Sequence, residues 1–100
     1  MSSREDGKPW RFVTNHTQVL LCIARDGDVR LRDVAETVGI TERAAQRIVA
    51  DLVNEGFVER RRVGRRNHYS IDRSAKMRHP AQMNQEIGDL LELLNSTDSV

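Results

Sequence analysis

The sequence predicts a mainly α fold with a small β-hairpin: three core helices, then the hairpin, then an added C-terminal helix. Three observations carry this. Apolar residues recur every three to four positions within 15–26, 31–38 and 42–55, the spacing that lines one face of a helix. From Phe57 the period changes to alternation, with Val58 before, and Tyr69 and Ile71 after, a Gly64-Arg65 pair suited to a tight turn. Beyond it Met83, Ile87, Leu90, Leu91 and Leu94 share a helical face behind Pro80, and proline is well placed in a helix's first turn.

Each element has local reasons. Residues 1–9 are polar and charged and read as a disordered tail, whereas Trp10, Phe12 and Val13 are more apolar than a free tail requires and are expected to dock. Asn15 with Gln18 three residues on forms a capping-box pattern, Val19, Leu20 and Ile23 supply the inner stripe, and Asp26-Gly27 offers a stop. Val29 to Leu31 reads as a short strand. In the second helix Leu31, Val34, Ala35 and Val38 face inward until Gly39 ends it. Thr41 is a good N-cap for the third, whose stripe of Ala45, Ile48, Val49 and Leu52 ends before Asn54, Glu55 and Gly56. A Gly64-Arg65 turn sets Val58 opposite Ile71, Arg60 opposite Tyr69 and Arg61 opposite His68. The expected organisation is one domain over 10–72, a polar linker over 73–79, a last helix over 80–95 and a tail over 96–100.

One hundred residues hold one core. With 38% apolar and 31% charged residues the composition is that of a globular chain rather than a disordered one. The opening residues lack the apolar stretch of a signal peptide, and the longest apolar run, Val19 to Ile23, is too short to cross a bilayer. The expectation is a cytoplasmic protein without a membrane partner. Cys22 is the single cysteine, which rules out an intrachain disulfide and suits a reducing compartment. It reads as a small buried hydrophobe rather than a redox sensor. His16, His68 and His79 are scattered, unlike a metal-ligand set. No nucleophile–base–acid set, phosphate-binding glycine loop or catalytic carboxylate pair can be assembled, so neither enzyme activity nor a cofactor is expected.

The net charge of +1 conceals a division along the chain. Residues 56–71 carry five arginines against one glutamate, while 79–100 carry four acids and no lysine or arginine. Arg60, Arg61, Arg62, Arg65 and Arg66 crowd into one hairpin and repel one another unless an anion lies near, and DNA phosphate is the obvious one. On the third helix Arg43, Gln46 and Arg47 lie away from the core stripe at a turn of about 100° per residue.

Two helices joined across Gly39-Ile40-Thr41, with small Ala35 and Ala45 allowing a close crossing, form the central signal. Through the runs LRDVAETVGITE (31–42), LVNEGFVER (52–60) and GRRNHY (64–69), residues 15–72 resemble the winged helix-turn-helix domains of the MarR and ArsR type. The absence of a spaced ligand set departs from the metal-sensing members. The resemblance implies a three-helix core plus a wing, with the third helix in the major groove of double-stranded DNA. There Thr41, Glu42, Arg43, Gln46 and Arg47 are the candidate contacts, since arginine suits guanine and glutamine suits adenine. Arg60, Arg61, Arg62, Arg65, Arg66, Asn67 and His68 would be the wing's contacts with phosphates and the minor groove. The last helix is expected to build a homodimer through Met83, Ile87, Leu90, Leu91 and Leu94, helped by Trp10 and Phe12; intrachain packing is the alternative. The function expected is that of a sequence-specific transcriptional regulator. A winged-helix protein-interaction module and an RNA-binding winged domain are the alternatives, and any small-molecule effector would sit at the dimer interface.

Overall fold

The computed structural model describes residues 13–77, 81 and 84–95. Three helices come first: α1 (Asn15–Arg25), α2 (Leu31–Val38) and α3 (Glu42–Asn54). Strands β1 (Val58–Val63) and β2 (Arg66–Ile71) form an antiparallel hairpin, and α4 (Ile87–Asn95) closes the order. Trp10, Phe12, Met83, the tails 1–9 and 96–100 and the expected helix start at Pro80 lie outside the described residues.

The helix stripes converge as their spacing requires. Val19, Val34, Val49 and Leu91 are fully enclosed, with Leu20, Ile23, Ala35, Ala45, Ile48, Leu52, Val58 and Tyr69 buried around them. Ala35 and Ala45 let α2 and α3 approach closely, and Gly39 makes the turn between them at φ +88° and ψ +34°, a conformation that costs glycine little. The hairpin register matches the expected one, from Val58 opposite Ile71 to Val63 opposite Arg66. At its tip Gly64 takes φ +63° while Arg65 keeps a negative φ, the arrangement of a type II′ turn with glycine first.

Three local expectations are corrected. The N-cap of α1 is Thr14, whose hydroxyl accepts from the Thr17 amide at 3.3 Å, so Asn15 is already helical. Residues 29–31 are not a strand, since Leu31 opens α2; the segment before it nevertheless runs along the free edge of β2, where the Tyr69 amide donates to the Gly27 carbonyl at 2.8 Å. Gly27 therefore serves close approach rather than helix termination. A Cβ there would stand 2.5 Å from the Tyr69 carbonyl oxygen.

The third correction concerns the C-terminal helix. It starts at Ile87, and residues 84–86 are not helical. The cause lies in the supposed linker: the Met77 amide donates to the Gln85 carbonyl, that of Ile87 to Ala75 and that of Gly88 to Arg73, at 2.8–3.0 Å. Residues 73–77 thus take up the backbone of 85–88 in strand-like fashion, and the chain is free to coil only afterwards. Ile87 and Leu91, expected at a dimer interface, are buried against the chain's own core, while Leu90 and Leu94 are half-buried. Leu93, outside the expected stripe, is 69% exposed. Shortening Leu91 should therefore leave a cavity in the single chain. Leu91→Ala is expected to lose about 2–5 kcal/mol of stability, as read by urea unfolding of the variant beside the wild type.

Candidate nucleic-acid interface

Burial of one face of α3 decides where the other points. Thr41 caps the helix, its hydroxyl accepting from the Ala44 amide at 3.0 Å. Ala45, Ile48, Val49 and Leu52 then lock the rotation, which leaves Glu42, Arg43, Gln46 and Arg47 exposed along its first half. Ala50, one turn further, is half-buried and small. The exposed half of α3 is thus arginine and glutamine, with Glu42 at the helix N-terminus where a carboxylate suits the dipole.

The hairpin divides in the same way. Val58 and Tyr69 anchor its base in the core, whereas Arg60, Arg61, Arg62, Arg65 and Arg66 are all exposed and Asn67 is half-buried. Near the tip the Arg62 Nε–H donates to the Gly64 carbonyl at 3.3 Å. Val63, beside the turn, is 55% exposed, an apolar side chain among the arginines. Wing and helix meet across a notch of about 290 Å³, whose walls include Glu42 and Gln46 from α3 and Arg65, Arg66 and Asn67 from the wing. Residues far apart in the chain are thereby brought to one face.

Two residues of this face escaped the sequence reading. Asp28, in the connection between α1 and α2, accepts at its backbone carbonyl from an Arg66 Nη2–H at 2.7 Å and at its carboxylate from the His68 Nδ1–H at 2.7 Å. The His68 ring also packs over Gly27, since a Cβ there would lie 2.9 Å from its Cε1. His68 is therefore engaged by the body of the protein, and Arg66 is held rather than freely swinging. Arg30, at the N-cap of α2, lines the same notch. The available sequence signal was an arginine standing where a capping side chain belongs.

The opposite side has another character. An apolar groove of about 600 Å³ runs between α1, α3 and α4, bordered by Leu20, Leu52, Phe57, Met77, Ile87 and Leu90, with His16 bonded to Asp51 at 3.2 Å on its rim. Cys22 is half-buried, and burial pushes its thiol up, opposed in part by Arg25, which keeps it protonated and weakly nucleophilic. Among the described residues no three His, Cys, Asp or Glu side chains gather as a metal site would need, and no helix is long and apolar enough to cross a membrane.

The hydrogen bond from His68 holds the Asp28 carboxyl below the usual carboxylate range, opposed by desolvation and aided by the positive charges of His68 and Arg66. A depressed folded-state value means that the contact stabilises the fold above the unfolded carboxyl's value of about 3.9 and that this contribution is lost as pH falls through the lower value. Carbon-detected NMR titration should find Asp28 titrating below its ordinary midpoint in the wild type and back near it in His68→Gln. An unmoved midpoint would remove the pairing.

Comparison with known proteins agrees with this arrangement. Residues 14–66 match a family model described as MarR family, a span that runs from the cap of α1 through the three helices and β1 to the start of β2. A search of curated proteins gives no match. Since the matched span is more than half of the chain and the helices and hairpin have the winged-helix arrangement, the protein belongs to the MarR family of winged-helix DNA-binding proteins.

Proposed function

We propose that the chain is a sequence-specific transcriptional regulator that binds double-stranded DNA as a homodimer, with α3 in the major groove and the arginine-rich wing on phosphates and the adjacent minor groove. The observation that carries this reading is the shared face: Arg43, Gln46 and Arg47 are exposed on α3, and the wing tip flanks the same helix across the notch. Direct readout needs donors at base edges and cations at the backbone at one time, and these two elements supply both. The hairpin's aromatic residue, Tyr69, is buried and so is withdrawn from the base stacking on which recognition of single-stranded RNA relies. A protein-interaction module gains nothing from five crowded arginines.

The homodimer would use the outer side of α4, where Leu93 is exposed and Leu90 and Leu94 are half-buried, because Ile87 and Leu91 are committed inward. Two copies related by a twofold axis would set their α3 helices about one DNA turn apart. Cytoplasmic location follows from this role.

Selection of bound duplexes from a random pool should return a palindromic consensus. On that site Arg47→Ala should relax preference at one base pair of each half-site by roughly 1–3 kcal/mol while weakening binding to unrelated duplex much less. Titration at fixed salt of the consensus, its single-base variants and random duplex reads this out. An equal loss on all of them would reduce Arg47 to a backbone contact, and a pool without enrichment would contradict specific DNA binding.

A further inference from the structure

Arg30 is out of place by the rules of helix ends. It is the N-cap of α2, at φ −85° and ψ 143°, and makes no side-chain capping bond. Serine, threonine, aspartate or asparagine there would satisfy a free amide and stabilise the helix, and a cation at the positive end of the helix dipole is disfavoured. A local rule broken without gain inside the monomer points to a gain elsewhere. The surroundings show where. Arg30 borders the notch that also takes in Arg65 and Arg66 of the wing and Gln46 of α3. Arg66 is fixed there by its bond to the carbonyl of Asp28, two residues before Arg30, and this uses one of the five N–H donors that an arginine carries. The Asp28 carboxylate is occupied by His68. Glu42 is the remaining acid on the walls, and among the described residues no ion pair joins it to any of the three arginines.

We propose that this notch seats a single backbone phosphate of the bound duplex, held from the α1–α2 connection by Arg30 and from the wing by Arg65 and Arg66. The inference rests on the DNA-binding reading above and deepens it. Arg30 becomes a phosphate-binding residue, and the seat sets the register between α3 and the wing because it lies between them. Nothing in it depends on base identity, so its loss affects all duplexes alike.

The test is the salt dependence of binding by the full chain to the selected site and to random duplex, for the wild type, Arg30→Ala, Arg30→Lys and Arg32→Ala. Arg32 is exposed on the same helix but is not part of the notch. Losing one of the three cations on that phosphate should make the slope of log affinity against log salt shallower, by at most the roughly 0.9 that a whole phosphate contact is worth. Arg30→Ala is expected to show that change and to lose the same factor on both duplexes, Arg30→Lys to keep most of the slope, and Arg32→Ala to match the wild type. Circular dichroism should report unchanged helicity for Arg30→Ala, whose side chain caps nothing. A wild-type slope in Arg30→Ala, a loss confined to the selected site, or an equal change in Arg32→Ala would overturn the seat while leaving DNA binding intact. Failure of the wild type to bind either duplex would instead overturn the DNA-binding reading, and the seat with it.

Discussion

A two-stranded hairpin is marginal in water on its own, and the arginine-loaded hairpin of this protein is worse placed than most, because like charges on neighbouring positions repel. What holds it is its anchorage to the helices. Val58 and Tyr69 are buried in the core, and the Tyr69 amide bonds to the Gly27 carbonyl on the strand edge that β1 leaves open. That bond requires the two backbones to come closer than any side chain at position 27 would permit. Asp28 then fastens Arg66 and His68 to the same connection. The wing is in effect moored at 27–28, and Arg66 is oriented before any DNA arrives.

The mooring explains why one face can be so basic. Preorganised cations lose less conformational entropy on contact than swinging ones, and the repulsion stored among them is relieved when phosphate approaches. On the reverse side the chain spends its apolar residues differently. The strand-like pairing of 73–77 with 85–88 brings Ile87 and Leu91 onto the core, so α4 completes the monomer before it can serve a second copy. Acidic Glu86, Asp89 and Glu92 accompany it, which keeps the two faces opposite in charge and favours one orientation of approach to a polyanion.

Much of this was legible in the sequence because the decisive signals are local. The stripes of α2 and α3, the turn at Gly39, the cap at Thr41 and the two-residue hairpin turn each follow from residues within a few positions of one another, and the structure has them at the expected places. The exposed positions of Arg43, Gln46 and Arg47 followed from α3's periodicity alone. What escaped depends on contacts between distant segments. Gly27 beside Asp26 looks like a helix stop, and its close approach to Tyr69 is visible only once the hairpin is docked. Asp28 carries no local signal, and Arg30 falls within what reads as a short strand, whereas Arg66 is brought to the Asp28 carbonyl from 38 positions away. The start of α4 was misjudged because an apolar period of three to four cannot report that residues 85–88 are already bonded to 73–77.

The central claim is that α3, the wing and the connection at 27–30 act as one DNA-binding face, with the groove between α1, α3 and α4 on the other side. Amide chemical-shift mapping on addition of a short duplex tests it most directly. The account predicts that the shifted amides cluster at 28–31, 41–47 and 60–68 and that those of α1 and α4 stay in place. Shifts concentrated instead around Leu20, Leu52, Phe57 and Leu90, with the wing unmoved, would contradict it.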